Sequence, residues 1–268
     1  MQKPTDLRAA LAGRDPLLGL WASIPSSLTA EAAAAAGADY VVVDQQHGAV
    51  EPDRLMAMLQ AIQAGGAAPL VRVARLDPWV LGNALDLGAL GVIVPMVETA
   101  EQAARAVSAC RYAPEGERSY GPVRADMALG SARPADLGAG PLCLVMIETR
   151  AGLEAVEEIV RTPGLDGIYV GPSDLALSLG LEPTLRLEHP PVLEAIERIR
   201  IACERARLLA GLHCLTGEDA ARFAGGDFAM VTAGGDLLHL RDALARALAA
   251  ARERPEEMSD DARLRAPV

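Results

Sequence analysis

Two acids close two neighbouring apolar runs. Glu148 follows Leu142 to Ile147, and Asp174 ends the turn Gly171-Pro172-Ser173-Asp174 that follows Gly167 to Val170. With the amphipathic stretch between them, these runs read as a β-α-β unit. Each acid then stands just past the carboxyl end of a parallel strand, where α/β folds bind ligands and metals. A hard divalent cation takes oxygen ligands, often only one or two carboxylates, and fills its shell with water and substrate. Glu148 and Asp174 supply that minimal set. Other polar residues gather at or near further strand ends: Asp44 and His47 after Asp39 to Val43, and Arg72 within Pro69 to Val73. An arginine beside a cation suits an oxyanion, and a histidine suits a proton to be moved. The Gly171–Asp174 turn opens a helix, so the Ser173 and Asp174 amides suit a substrate carboxylate.

Singly, each residue has a plainer reading. Glu148 could pair with Arg150 on the rim, and Asp174 could cap its helix. Arg72 could be an interior arginine paired with an acid, His47 an exposed loop residue, and Asp86 a solvated helix residue. Their joint occurrence is what points to a site. One count narrows the chemistry: the only lysine is Lys3, near the N-terminus. An imine mechanism needs a lysine held in a pocket that lowers its pKa, so metal-assisted chemistry is favoured over a Schiff base.

The elements that must position these residues alternate from end to end. Apolar strand-like runs begin at Leu17, Asp39, Pro69, Gly91, Leu142, Gly167, Leu209 and Phe228, with helical patterns between them. Short strands that are apolar throughout suit a parallel sheet buried on both faces. Eight such units within 268 residues spell a single α/β domain, a (β/α)8 TIM barrel. The barrel is expected over residues 1–252, its last helix at Leu237 to Ala250, with a polar tail at 253–268. Between Tyr112 and Gly140 prolines and glycines break the pattern, predicting a long rim or lid loop with one short helix. A single helix is expected from Gly152 to Val160.

Composition excludes several partners. The net charge of -11 opposes nucleic acid and anionic membranes. No apolar run reaches the roughly 18–20 residues of a membrane span, and the N-terminal stretch lacks a signal peptide's apolar core. The expectation is a soluble, cytoplasmic protein. Cys110, Cys143, Cys203 and Cys214 show no CxxC spacing and read as buried, reduced thiols.

The segments GLWASIPS, DYVVVDQQHG, PLVRV, ALDLGALGVIVPMVET, RYAPEGERS, LVMIETRAGL and GLDGIYVGPSDLALSLG, in this order over about residues 17 to 235, resemble the metal-dependent (class II) pyruvate aldolases of the HpcH/HpaI type. That family includes 4-hydroxy-2-oxoheptanedioate and 2-dehydro-3-deoxyglucarate aldolases; VMIETRAG with YVGPSDL is the specific part. The resemblance implies that Glu148 and Asp174 bind a divalent metal cation (Mg²⁺, Mn²⁺ or Co²⁺). It implies that Arg72 holds the enolate oxygen of pyruvate and that His47, oriented by Asp86, is the acid/base. Asp44 belongs to the same site, the Ser173 and Asp174 amides take the carboxylate, and Trp21 lines the pocket. The reaction implied is reversible cleavage of a 4-hydroxy-2-oxo acid to pyruvate or hydroxypyruvate and an aldehyde. A homo-oligomer, a hexamer with its last helix swapped between neighbours, is implied as well. Gln45-Gln46 stands where family members often have Gly-Glu, and LHCLTGE after strand seven also departs from the heptanedioate enzymes.

Other readings remain at this stage. An acyl-CoA lyase of the same superfamily shares the acids. A sugar-phosphate isomerase or epimerase would use Gly234-Gly235 as a phosphate cradle, and a non-catalytic barrel would only bind a ligand.

Overall fold

The computed structural model describes residues 7–252, residue 14 excepted. Lys3 and the tail at 253–268 lie outside the described residues. Helix α1 (Leu7–Leu11) precedes β1 (Leu17–Ala22); α2 (Ser27–Ala35) leads to β2 (Tyr40–Asp44), α3 (Pro52–Gly65) to β3 (Ala68–Arg72), and α4 (Pro78–Asp86) to β4 (Gly91–Val94). Then come α5 (Ala100–Cys110), α6 (Ala125–Leu129), α7 (Pro134–Ala139), β5 (Leu142–Ile147), α8 (Arg150–Glu154), α9 (Val156–Ile159) and β6 (Gly167–Val170). The series ends with α10 (Pro172–Ser178), α11 (Pro190–Ala206), β7 (Leu209–Cys214), α12 (Gly217–Ala224), β8 (Met230–Gly235) and α13 (Asp236–Arg252).

The eight strands pair in chain order, every pair parallel, and β8 closes on β1. Alternation along each strand separates two cores. Val41, Val71, Val92, Val145, Ile168 and Leu212 face the helices. Tyr40, Leu70, Ile93, Leu144, Met146 and Tyr169 fill the lumen. This is a TIM barrel, as the strand–helix alternation predicts. Side chains of Ser26, Asp77, Thr99, Thr149 and Thr216 cap five of the helices by accepting from first-turn amides.

Several boundaries differ from the apolar pattern. β2 includes Asp44, because ladder pairing with Arg72 of β3 extends the strand past its last valine. β8 starts at Met230 and not at Phe228, and runs on to Gly235, which pairs with Trp21. The long segment after α5 holds two short helices instead of one. The helix expected from Gly152 starts at Arg150, where Thr149 caps it, and is interrupted at Ala155. Among the described residues, no helix is long and apolar enough to cross a membrane.

The chain divides into two compact units, one through Asp236 that contains the barrel and one from Leu237. In the second unit, α13 presents Leu237, Leu240, Leu244 and Leu248 as an exposed row at helical spacing.

Candidate active site

Arg72 and Asp44 end adjacent strands and are paired in the β-ladder. Asp44 is 2% exposed and Arg72 8%. Arg72 Nε donates to Asp44 Oδ1 at 2.9 Å and Nη2 to Oδ2 at 2.6 Å, a bidentate fork. Burial alone would raise the Asp44 carboxyl. The Arg72 hydrogen bonds and charge, with the His47 amide, outweigh it and hold the carboxyl below its ordinary value. Asp44 Oδ1 also accepts from the Gln46 and His47 amides at 3.0 and 3.2 Å, which fixes the turn after β2.

Glu148 follows β5 directly and is 1% exposed. Its Oε1 accepts from the Met96 amide at 2.7 Å, whereas Oε2 is buried with no hydrogen-bond partner. Burial raises the carboxyl above its ordinary value, and the charges of Asp174 and Asp44 push in the same direction. A buried carboxylate oxygen without a donor, beside further acids, is what a cation ligand looks like when only protein atoms are considered. Gly171, the residue before α10, makes the room: a Cβ there would fall 2.5 Å from Glu148 Oε2. Asp174 sits in the first turn of α10 with Ser173, both half-buried. Among the described residues no three His, Cys, Asp or Glu converge into a metal cage. A two-carboxylate set is below that number and fits a cation that keeps water and substrate in its shell.

His47 lies on the turn after β2 and is exposed. Asp86, at the end of α4, is held elsewhere: Arg118 Nη2 donates to its Oδ1 at 2.6 Å, and the Arg118 side chain is only 1% exposed. Among the described residues no hydrogen bond joins His47 to Asp86. Arg118 comes from the long segment after α5 and also lies over the Tyr112 ring, 4.6 Å from its centroid. That segment therefore anchors beside the barrel end through a charge pair the sequence did not single out.

Trp21, near the end of β1, is 4% exposed and faces the lumen. Arg72 Cζ stands 5.0 Å from its ring centroid, so the tryptophan backs the guanidinium. The His213 ring packs on the same indole at 4.5 Å. His213 was not among the expected site residues. The signal lay in the alternation of β7: Gly211 and His213 face the lumen, Leu212 and Cys214 the helices. The four cysteines are free and buried.

A closed parallel barrel with buried Glu148, half-buried Asp174 and the buried Arg72–Asp44 pair at its strand ends is the frame of a TIM-barrel enzyme. The chain belongs to the HpcH/HpaI aldolase/citrate lyase family, whose model matches residues 17–243. It is a carbon–carbon lyase of the aldolase type. It is 40% identical over 240 residues to a hydroxypyruvate/pyruvate aldolase of Rhizorhabdus wittichii, covering 90% of this chain and 95% of that one. A 5-keto-4-deoxy-D-glucarate aldolase of Klebsiella pneumoniae is 34% identical, with 90% and 94% covered. The crystal structure of an HpcH/HpaI family protein from Burkholderia cenocepacia superposes with a TM-score of 0.82 at 33% identity, over 92% of this chain and 98% of that one.

Proposed function

We propose that this lyase is a divalent-metal-dependent aldolase that reversibly cleaves 4-hydroxy-2-oxo acids to pyruvate or hydroxypyruvate and an aldehyde. The observation that carries the metal-dependent reading is the buried Glu148 Oε2, unpartnered beside the Asp174 charge. Glu148 and Asp174 would hold the cation. When bound, Mg²⁺, Mn²⁺ or Co²⁺ supplies Lewis-acid polarisation of the substrate's 2-oxo group. Arg72, aimed by Asp44, offers its guanidinium to the enolate oxygen. His47 moves the proton, and Asp86 is the acid proposed to orient it. The Ser173 and Asp174 amides at the start of α10 take the substrate carboxylate, and Trp21 walls the pocket behind Arg72. The only lysine in the sequence is Lys3, so the described residues include no imine-forming lysine.

The test is exchange of pyruvate methyl protons with solvent, together with adduct formation from pyruvate or hydroxypyruvate and a panel of aldehydes. Exhaustive chelation should abolish both, and restored Mg²⁺ or Mn²⁺ should return them. Activity that survives metal removal overturns the reading. The phosphate-cradle alternative is opposed by Asp236, whose carboxylate directly follows Gly234-Gly235 and accepts from the Ser23 and Ile24 amides at 2.9 and 3.2 Å.

The exposed leucine row of α13 supports a homo-oligomer, a hexamer by family resemblance, in which this helix docks on a neighbouring subunit. A cytoplasmic location is part of the same proposal. A monomer by light scattering at micromolar concentration would dispose of the assembly.

A further inference from the structure

His213 is a polar, lumen-facing residue of β7 to which the proposed mechanism gives no part. It lies at the substrate end of β7, paired in register with Thr232 of β8. Its Nδ1 lies 2.9 Å from Thr232 Oγ1. That hydroxyl donates to the Cys214 carbonyl at 3.4 Å and accepts from the Cys214 amide at 3.2 Å. A Thr232 hydroxyl that gives its single proton to the Cys214 carbonyl accepts from the ring, and the imidazole hydrogen then sits on Nδ1. Nε2 is then a bare acceptor, and among the described residues it has no hydrogen-bond partner. Below the imidazole, Gly211 leaves the space that the Tyr169 ring fills, a Cβ there being 2.5 Å from the ring. Tyr169 in turn meets Tyr40, their hydroxyls 2.9 Å apart. The histidine thus rests on a rigid floor and against Trp21, whose ring it shares with Arg72. Enclosure and the Arg72 charge keep it neutral by lowering its pKa to about 4. A neutral acceptor, held beside the arginine proposed for the enolate oxygen, is placed to read a hydroxyl on the same small molecule.

We infer that His213 is a specificity-determining residue that accepts a hydrogen bond, through Nε2, from the C3 hydroxyl of a 3-hydroxy-2-oxo acid donor, and so favours hydroxypyruvate over pyruvate. This rests on the aldolase reading above and deepens it. Pyruvate has a methyl group at that carbon and leaves Nε2 unsatisfied or wet.

The experiment compares kcat/KM for hydroxypyruvate and for pyruvate with one common aldehyde, in the metal-loaded full chain. In His213→Leu the hydroxypyruvate-to-pyruvate ratio should fall about tenfold, the weight of one neutral hydrogen bond. His213→Gln, which keeps an acceptor oxygen, should hold the ratio within about threefold of the starting protein. Thr232→Val frees the tautomer and should move the ratio in the same direction as leucine, which also reads the effect if His213→Leu fails to fold. A ratio unchanged in the leucine or valine variant, whichever is folded, overturns the inference while leaving the aldolase reading intact. A metal-loaded starting protein that uses neither donor overturns the aldolase reading, and this inference with it.

Discussion

Asp44 and Arg72 face each other in register across β2 and β3 and meet through two hydrogen bonds, at 2.9 and 2.6 Å, with both residues buried. Arg72, the arginine proposed to meet substrate, is therefore already engaged on one edge of its guanidinium fork. Its side chain is held in one geometry, so under the proposed role little of its freedom would be lost on binding substrate.

Arg72→Ala should lower kcat/KM by about 10²–10³-fold, the range for removing one donor from a developing oxyanion. It should also destabilise the fold, because the buried Asp44 loses its partner. Circular dichroism must show a folded protein at the assay temperature for the kinetic result to count, and a folded, fully active variant would remove Arg72 from the site.

Asp44 gives a pH-dependence. Its carboxyl is lowered on folding, so its contribution to stability is complete above the ordinary aspartate value of 3.8 and is lost as pH falls through the folded value. Asp44→Asn should abolish that share of the acid-side loss, flattening a plot of melting temperature against pH below neutrality. It should also cost stability at pH 7, on the order of 3–5 kcal/mol if Arg72 is left charged and unpaired. An unchanged acid limb would show that the pair is not what titrates.

Glu148→Gln keeps the shape of the side chain and its contact with the Met96 amide region but removes the charge. Calorimetric titration with Mn²⁺ should show binding weakened by at least about 100-fold or lost, with the melting temperature of the metal-free protein unchanged or higher. The rise follows from the raised carboxyl: its ionisation opposes folding, so stability falls as pH climbs through the folded value. Equal Mn²⁺ affinity in the variant would exclude Glu148 as a ligand.

Gly171→Ala tests the room around that oxygen. The added methyl would lie 2.5 Å from Glu148 Oε2 and 3.0 Å from both Glu148 Cβ and Met146 Cε. We expect a stability loss of about 1–3 kcal/mol and a cation affinity reduced by more than the fold is weakened. Destabilisation with unaltered affinity would mean that the carboxylate moves aside freely.

Asp86→Asn should be felt first in folding, since Arg118 is buried and loses its charged partner. A drop of roughly 2–4 kcal/mol in urea unfolding is expected. The same variant should shift the pH–rate profile if Asp86 also orients His47; a profile that coincides with the starting protein's after correction for stability would confine Asp86 to the Arg118 pair.

The acid pair was legible because local sequence writes it twice over: an apolar run, then an acid, then a helix start. The strand before Glu148 and the strand before the Gly171–Asp174 turn have the ends expected of them. Arg72 was legible as a charge within the apolar run Pro69 to Val73, although whether it paired with an acid stayed open until the register set Asp44 opposite it. Asp86 was legible only as an acid on a helix. Its partner Arg118 is 32 residues away, in a segment whose glycines and prolines leave no period to follow.

By itself, the sequence determined the alternation of strand and helix, the parallel barrel, and the acids and arginine at strand ends, since these follow from side-chain period and from residues adjacent in the chain. Tertiary structure decided what depends on closure: that β8 meets β1, that Trp21 backs Arg72 and His213 together, and that Thr232 Oγ1 meets His213 Nδ1. Those relationships join residues on different strands, and their distances exist only once register and barrel curvature are fixed. Closure likewise made Glu148 Oε2 a buried oxygen without a donor, because burial is a property of the assembled lumen and its rim and not of the residue.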